Sequence, residues 1–184
     1  MDDMTECYGR FLRGDERAFE KIVAENRLGL SYYIFSFVGD FDAAEELTED
    51  VFVKLYIKRP ADKKKCSFKT WLYTIGRNTA IDFCRKRKRE SGLSLDEIAG
   101  LSAGGDPTEE RYLAEETKRA LHKALQSITP AYAEALRLKY FEGFSEKEIA
   151  HITKRSVKST YDLVYRAKKT LKEHLIKEGF GYEI

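Results

Sequence analysis

The sequence predicts an all-α protein with two small helical domains joined by a flexible acidic linker. Apolar residues recur at three- and four-residue steps on both sides of residues 90–116, and no segment alternates with a period of two over the length of a strand. Residues 90–116 hold eight acidic residues, one basic residue, four glycines and a proline, a composition typical of a linker. We therefore predict domains at 1–90 and 114–184, with the linker at 91–113.

Three helices are predicted in the N-terminal domain. Gly14 is placed to end the segment that precedes the first helix, and Asp15 is placed as the N-cap of that helix. Its apolar stripe consists of Phe19, Ile22, Val23, Leu30, Tyr33, Ile34 and Phe37. The second helix is expected to open with a capping box of Asp42 and Glu45. It should end ahead of Pro60, because a residue that precedes proline disfavours the helical conformation.

The third predicted helix joins an apolar stripe to a basic end. Ser67 can cap this helix, and the stripe consists of Phe68, Leu72, Ile75, Thr79 and Phe83. Five cations follow in a row at 85–89. Aromatic side chains can stack on unpaired bases, and the candidates here are Phe68, Trp71, Tyr73 and Phe83. For Trp71 we favour burial in the core, because Leu72 and Ile75 lie on the same helix and need a buried face.

The C-terminal domain is predicted to end in two helices separated by a tight turn. Thr129 and Pro130 suit the N-cap and first position of a helix that runs to about Phe141, preceded by a stripe of Leu121, Leu125 and Ile128. Gly143 breaks that helix, and Ser145 with Glu148 makes a capping box for a short one. After a polar turn at 153–156, the last helix places Val157, Thr160, Val164, Ala167, Leu171 and Leu175 on one apolar face.

The segment FSEKEIAHITKRSVKSTYDLVYRAKKTLKEHL therefore has the form of a helix-turn-helix, whose second helix can lie in a major groove of DNA. Base edges are read by exposed side chains near the start of that helix, and phosphates are held by cations beside them. The base-reading candidates are Lys158, Ser159, Tyr161, Asp162 and Tyr165. The phosphate-binding candidates are Lys154, Arg155, Arg166 and Lys169, with Ser156 in the turn. A solvated basic helix in a bundle is the alternative interpretation.

Several classes of function find no support in the sequence. It contains no P-loop, HExxH or GxSxG motif, and its three histidines lie far apart. We predict no catalytic residue, metal site or cofactor. The three cysteines form no CxxC pair and are expected to be reduced. The longest apolar run is too short to span a membrane, and the start of the chain lacks a secretory signal, so we expect a cytoplasmic protein.

Three segments, in this order, resemble parts of the bacterial sigma-70 family of transcription initiation factors, in its extracytoplasmic-function group. DAAEELTEDVFVKLY resembles the helix that binds the polymerase clamp, and SFKTWLYTIGRNTAIDFCRKRKR resembles the helix that engages the minus-ten promoter element. LQSITPAYAEALRLKYFEGFSEKEIAHITKRSVKSTYDLVYRAKKTL resembles the domain that reads the minus-thirty-five element. We take the resemblance as a whole to cover nearly the whole chain.

The resemblance implies roles for particular residues. Contact with core RNA polymerase would fall to Glu45, Glu46, Glu49, Asp50, Phe52 and Val53. Contact with the minus-ten element would fall to Lys63, Lys64, Lys65, Lys69, Arg77, Asn78, Arg85, Lys86, Arg87, Lys88 and Arg89. The loop at 58–67 would capture a base flipped from the non-template strand. The helix-turn-helix candidates named above, from Lys154 to Lys169, would bind the minus-thirty-five duplex, and the acidic linker would thread the polymerase's RNA-exit channel.

The resemblance also implies partners. They are core RNA polymerase, promoter DNA as duplex and as melted strand, and an anti-sigma factor; we expect a monomer when free.

The sequence departs from the family pattern at a few positions. Thr48 stands where the family often has Gln, and Lys154 replaces the common glycine of the turn. Tyr161, Asp162 and Leu163 replace a basic run, so a different minus-thirty-five sequence is expected.

Two other functions remain open at the level of sequence. A stand-alone helix-turn-helix regulator of transcription would account for the basic regions without polymerase. It would leave the order of the three segments and the clamp-like helix unexplained. A helical adaptor that binds only protein would leave both basic regions without a role.

Overall fold

A computed structural model describes residues 3–60, 66–91, 124–125 and 127–177. The helices in these ranges are α1 (Asp3–Leu12), α2 (Glu16–Val38), α3 (Phe41–Lys58), α4 (Phe68–Ser91), α5 (Pro130–Leu136), α6 (Glu146–Thr153) and α7 (Val157–Lys177). No strand occurs within the same ranges, which confirms the all-α prediction. The predicted linker at 91–113 lies, except for Ser91, outside the described residues. None of the described helices is long and apolar enough to cross a membrane.

The chain forms two compact units, one containing α1 to α4 and the other containing α5, α7 and most of α6. In the first unit, α2 packs against α1, α3 and α4. Helix α1 was not predicted, although its buried side chains follow helical spacing. They are Met4, Cys7, Tyr8 and Phe11. The first unit therefore has four helices where the sequence predicted three.

The start of α2 confirms the predicted cap. The carboxylate of Asp15 accepts a hydrogen bond from the backbone N–H of Ala18 at 3.3 Å. The guanidinium of Arg10 donates to the same carboxylate at 2.6 Å, and this hydrogen bond holds the pKa of Asp15 below its ordinary value. Gly39 ends the helix in the left-handed region, at φ 70°.

The start of α3 corrects the sequence interpretation. Its N-cap is Asp40, whose carboxylate accepts from the backbone N–H of Ala43 at 3.0 Å. Asp42 and Glu45 lie within the helix, so the capping box proposed for them is wrong. The sequence GDFDA offers two aspartates as caps, and the one next to the left-handed Gly39 is used. The helix ends at Lys58, ahead of Pro60 as predicted.

The start of α4 has the predicted cap and the predicted buried residues. The hydroxyl of Ser67 accepts from the backbone N–H of Thr70 at 3.2 Å. Phe68 and Leu72 are buried, whereas the rest of the predicted stripe, Ile75, Thr79 and Phe83, is only partly buried. A Cβ atom added to Gly76 would lie 2.6 Å from Cδ1 of Leu30. The absence of a side chain at Gly76 therefore allows α2 and α4 to approach closely.

The second unit is built on an apolar cluster of Leu125, Ile128, Leu136 and Ala167. Thr129 precedes Pro130 as predicted, but its side chain makes no capping hydrogen bond. The chain continues from α5 through a π-helical segment, Arg137–Phe141. Gly143, at φ 75°, then ends the helical run as predicted.

A capping box opens α6. The hydroxyl of Ser145 accepts from the backbone N–H of Glu148 at 3.4 Å. The carboxylate of Glu148 in turn accepts from the backbone N–H of Ser145 at 2.9 Å. This reciprocal pair is the arrangement predicted from the sequence.

Candidate nucleic-acid interface

The turn between α6 and α7 forms without glycine. Lys154 adopts the left-handed conformation, φ 56°, at the position where a glycine was expected from the resemblance. Such a conformation is uncommon for a residue with a side chain. The next residue, Arg155, donates its backbone N–H to the carbonyl of Ala150 at 3.0 Å. Ser156 then caps α7 by accepting from the backbone N–H of Ser159 at 3.1 Å, so the direction of α7 is fixed by local bonds.

All ten residues predicted to bind the minus-thirty-five element are exposed. They are Lys154, Arg155, Ser156, Lys158, Ser159, Tyr161, Asp162, Tyr165, Arg166 and Lys169. The opposite face of α7 is buried at Thr160, Val164 and Ala167. Val157 was predicted to share that apolar face, but it is 41% exposed. It precedes the first buried turn of the helix, so the apolar face begins at Thr160.

An open cleft of about 360 Å³ lies beside the start of α7. Its lining residues are Tyr132, Arg155, Ser156, Lys158, Ser159, Asp162, Leu163 and Arg166. Six of these were predicted site residues, and the structure gathers them around one concavity. Tyr132 and Leu163 were missed. Tyr132 comes from α5, and no pattern in the sequence relates it to α7.

In α4, Asn78 shares a helix face with two of the five terminal cations. At about 100° per residue, Arg85 and Arg89 both lie within roughly 20° of Asn78 around the helix axis. Arg87 lies about 160° from Arg89, on the other side. Since five consecutive residues surround a helix, the run at 85–89 cannot meet a single nucleic-acid strand with every side chain.

The cations of α4 differ in exposure. Arg85, Lys86, Arg87 and Arg89 are exposed, whereas Lys88 is partly buried. Arg85 pairs with Asp82 at 3.6 Å, and Lys86 pairs with Glu90 at 3.9 Å. Exposed pairs of this kind contribute little, so a phosphate can displace them.

The remaining minus-ten candidates occupy varied positions. Lys69, Arg77 and Asn78 are partly buried, and the ammonium of Lys69 lies 5.5 Å from the centre of the Tyr73 ring. Lys63, Lys64 and Lys65 lie outside the described residues, as does most of the loop expected to capture a base.

Two of the four aromatic residues proposed to stack on bases are in the core. Phe68 and Tyr73 are each 1% exposed, so their rings are not available to a base, and that proposal is wrong for both. Trp71 is partly buried. Its ring lies 5.4 Å from that of Tyr8 and 5.8 Å from that of Phe68. These contacts support the packing role favoured for Trp71. Phe83 is also partly buried.

Helix α3 carries one exposed face that mixes acidic and apolar side chains. Glu46, Asp50, Val53 and Ile57 recur at three- and four-residue steps with Glu49 beside them, and all five are exposed. Ile57, 72% exposed, was not predicted, although its spacing from Val53 was a usable signal.

Other candidate residues on α3 have partners within the unit. Phe52 is 5% exposed, and its ring lies 6.4 Å from that of Phe19; the prediction of a surface anchor at Phe52 is therefore wrong. Arg27 of α2 pairs with Glu49 at 3.3 Å and with Glu45 at 3.5 Å. Glu45 is partly buried.

Comparison with known proteins follows the same division of the chain. The family model for sigma-70 region 2 matches residues 22–90, and that for sigma-70 region 4 matches residues 118–171. RNA polymerase sigma factor SigV of Bacillus subtilis is 31% identical over 80% of this chain and 84% of that protein. The ECF RNA polymerase sigma factor SigM of the same organism is 30% identical over 76% of this chain and 84% of that protein.

A solved structure shows the same similarity. The sigma factor RpoE of Bartonella quintana, crystallised with the anti-sigma factor NepR, superposes with a TM-score of 0.70 at 27% identity. The match covers 85% of this chain and 96% of that one. The two region matches and the identity to SigV and SigM agree with the resemblance inferred from the sequence. The chain belongs to the sigma-70 family of RNA polymerase sigma factors, in its extracytoplasmic-function group.

Proposed function

We propose that the chain binds core RNA polymerase and directs it to specific promoters. In this proposal the N-terminal unit opens and holds the minus-ten element, and the C-terminal helix-turn-helix binds the minus-thirty-five duplex. The observation that carries it is the presence of both sigma-70 region 2 and sigma-70 region 4 in one chain, at 22–90 and 118–171. The chain supplies recognition, and core polymerase supplies the chemistry.

The exposed face of α3 is the proposed contact with polymerase. Val53 and Ile57 would anchor the contact, being 52% and 72% exposed in the free chain. Glu46, Glu49 and Asp50 border these apolar side chains on the same face. An apolar centre with a polar rim is the usual composition of a protein interface. Phe52 supports this face from inside, through its packing on Phe19.

The face of α4 that carries Asn78, Arg85 and Arg89 is the proposed contact with the minus-ten strand. Asparagine can hydrogen-bond a base edge, and the two arginines can hold phosphates farther along the helix. Asn78 and Arg89 are eleven residues apart, about 16 Å at 1.5 Å per residue. That length corresponds to several nucleotides of an extended strand.

The cleft and exposed face of α7 are the proposed contact with the minus-thirty-five duplex. Lys158, Tyr161 and Tyr165 project from the exposed side of the helix and are the proposed base readers. Arg155, Arg166 and Lys169 are the proposed phosphate contacts. Such a division between base-reading and backbone-positioning side chains is general in protein–DNA interfaces.

An anti-sigma factor is the proposed regulator. The similar Bartonella quintana sigma factor was crystallised with one, and the apolar part of the α3 face is a surface that such a partner would cover. We propose that the chain acts in the cytoplasm and is a monomer when free.

Titration of the fluorescently labelled full chain with bacterial core RNA polymerase tests the proposal. We expect saturable binding that weakens at least tenfold in Val53→Asp/Ile57→Asp, because two carboxylates would be buried in the interface. Arg17→Asp, an exposed substitution on α2, is the matched control, since it changes the net charge by the same two units on a different helix. Failure of the chain to bind core, together with tight binding to duplex DNA, would support the stand-alone regulator instead.

A further inference from the structure

We propose that Tyr132 is an additional DNA-contacting residue, whose hydroxyl donates a hydrogen bond to a backbone phosphate seated in the cleft beside α7. The inference rests on the proposed binding of duplex DNA by the helix-turn-helix. It adds to that interface a residue from α5 that neither the helix-turn-helix motif nor the run of basic residues includes.

The position of Tyr132 is fixed by packing. Its side chain packs against the apolar cluster of the second unit, Leu125, Ile128, Leu136 and Ala167. Tyr132 also lines the cleft, with Arg155 and Arg166. A tyrosine held in this way presents an apolar body to the core and a polar tip to its surroundings. Little side-chain entropy is then lost when its hydroxyl binds a ligand.

The cleft has the chemistry of a phosphate site. It is lined by three cations, Arg155, Lys158 and Arg166, against one carboxylate, Asp162. A phosphodiester carries one negative charge and offers only acceptor atoms near its phosphorus, so it suits a concavity lined mainly by donors. The hydroxyl of Tyr132 has no hydrogen-bond partner among the described residues, which leaves it available as one such donor. Tyrosine hydroxyls are among the groups that bind phosphates in protein–DNA complexes.

Loss of a neutral hydrogen-bond donor and loss of a cation change the salt dependence of DNA affinity differently. Loss of a cation that neutralises a phosphate lowers the slope of log K against log salt by about 0.9 in duplex DNA, because fewer counterions are released. Loss of a tyrosine hydroxyl removes a hydrogen bond and no charge. The slope should therefore remain unchanged while the affinity falls.

The test compares Tyr132→Phe with the wild-type full chain on duplexes selected by that chain from a random pool. We expect Tyr132→Phe to bind about 10- to 100-fold more weakly, the range for a hydrogen bond to a charged group. The loss should be the same for every selected sequence, and the salt slope should be unchanged. Arg166→Gln should weaken binding and also lower the slope by about 0.9. Tyr140→Phe is the matched control, since Tyr140 is exposed in the same unit and does not line the cleft.

A methylphosphonate scan locates the contact. Each phosphate of the duplex is replaced in turn by a neutral methylphosphonate, and binding of wild type and Tyr132→Phe is compared. At one position the difference between the two proteins should disappear. The inference is overturned if Tyr132→Phe binds like wild type, if its loss depends on base sequence, or if the difference persists at every methylphosphonate position. Because only duplex binding is measured, a failure to bind core polymerase would refute the proposed function without refuting this contact.

Discussion

The hydroxyl of Tyr8 donates a hydrogen bond to the carbonyl oxygen of Pro60 across 2.7 Å. One turn earlier on α1, the hydroxyl of Thr5 accepts from the backbone N–H of Phe68 at 3.0 Å. Helix α1 thus bonds to the chain just after α3 and to the first residue of α4. It lies outside the region 2 match, which begins at residue 22, yet it joins the proposed polymerase-binding helix to the proposed minus-ten helix.

Removal of the Tyr8 hydroxyl should destabilise the N-terminal unit. Tyr8→Phe retains the ring that stacks on Phe68 at 4.8 Å but leaves the Pro60 carbonyl without this donor. We expect the free energy of unfolding to fall by about 1 kcal/mol, measured by urea denaturation of the full chain. Tyr56→Phe is the control, because it removes a 2.8 Å bond to Glu16 at an exposed site, where water can replace the lost partner. An equal effect of the two changes would contradict the account of α1.

Alanine at Gly76 should destabilise the protein, whereas alanine at Gly9 should not. The new Cβ at residue 76 would lie 2.6 Å from Cδ1 of Leu30, so α2 and α4 must separate or Leu30 must change rotamer. Such overpacking typically costs about 1–3 kcal/mol. Gly9 is also helical, but its nearest neighbour would be the guanidinium of Arg13 at 3.6 Å. Gly9→Ala should be neutral or stabilising by about 0.5–1 kcal/mol.

The same denaturation experiment compares the two glycine variants. If Gly76→Ala were as stable as wild type, the close approach of α2 and α4 would not occur in solution.

The cations of α4 should differ in their effect on promoter binding. If one strand lies along the face of Asn78, Arg85→Gln and Arg89→Gln should each weaken promoter complexes and lower the salt slope by roughly 0.7 to 0.9. Arg87→Gln is the matched control from the other side of the helix and should leave the slope unchanged. The measurement is holoenzyme–promoter affinity across a salt series. Equal slope changes for all three variants would indicate nonspecific attraction to the basic end.

Acid should weaken the contact between the π-helical segment and α6. The ammonium of Lys139 donates to the carboxylate of Glu146 at 2.9 Å, and this hydrogen bond holds the pKa of Glu146 below its ordinary value. A lowered folded-state pKa stabilises the protein above the unfolded-state pKa, about 4.3 for Glu. That stability is lost as the pH falls below this value and through the folded-state pKa.

Thermal unfolding of the full chain at a series of pH values measures this effect. Glu146→Gln should be less stable than wild type at neutral pH, and the difference should shrink as the pH falls below about 4. Glu173→Gln, an exposed substitution in the same unit, should have the same thermal stability as wild type at every pH in the series. A constant difference between Glu146→Gln and wild type would show that the ion pair does not contribute.

Local sequence signals were sufficient for most of the helix ends. Asp15, Ser67 and the Ser145–Glu148 capping box depend on bonds within three residues, so the residue types alone predicted them. Asp40 was missed because two aspartates compete for the same role, and the choice depends on the conformation of Gly39. Helix α1 was missed because its apolar face is short, and only its packing against α2 and α4 shows that this face is buried.

Sites that require distant residues were less accessible from the sequence. The exposed residues of the turn and of α7 were predicted except for Val157, because they are close together in sequence and those on the helix follow its spacing. Phe52 was assigned to the wrong side of α3 because its partner, Phe19, comes from another helix. Tyr132 reaches the cleft only because α5 packs against α7, and no local pattern encodes that contact.

Transcription with purified bacterial core RNA polymerase tests the central claim most directly. Core enzyme with and without the full chain would be supplied with fragments of the source genome, and the start points of the transcripts would be mapped. We expect transcripts with discrete start points, each preceded by shared minus-ten and minus-thirty-five sequences, only when the chain is present. If the chain added no start point to those of core enzyme alone, it would not act as a promoter-directing subunit.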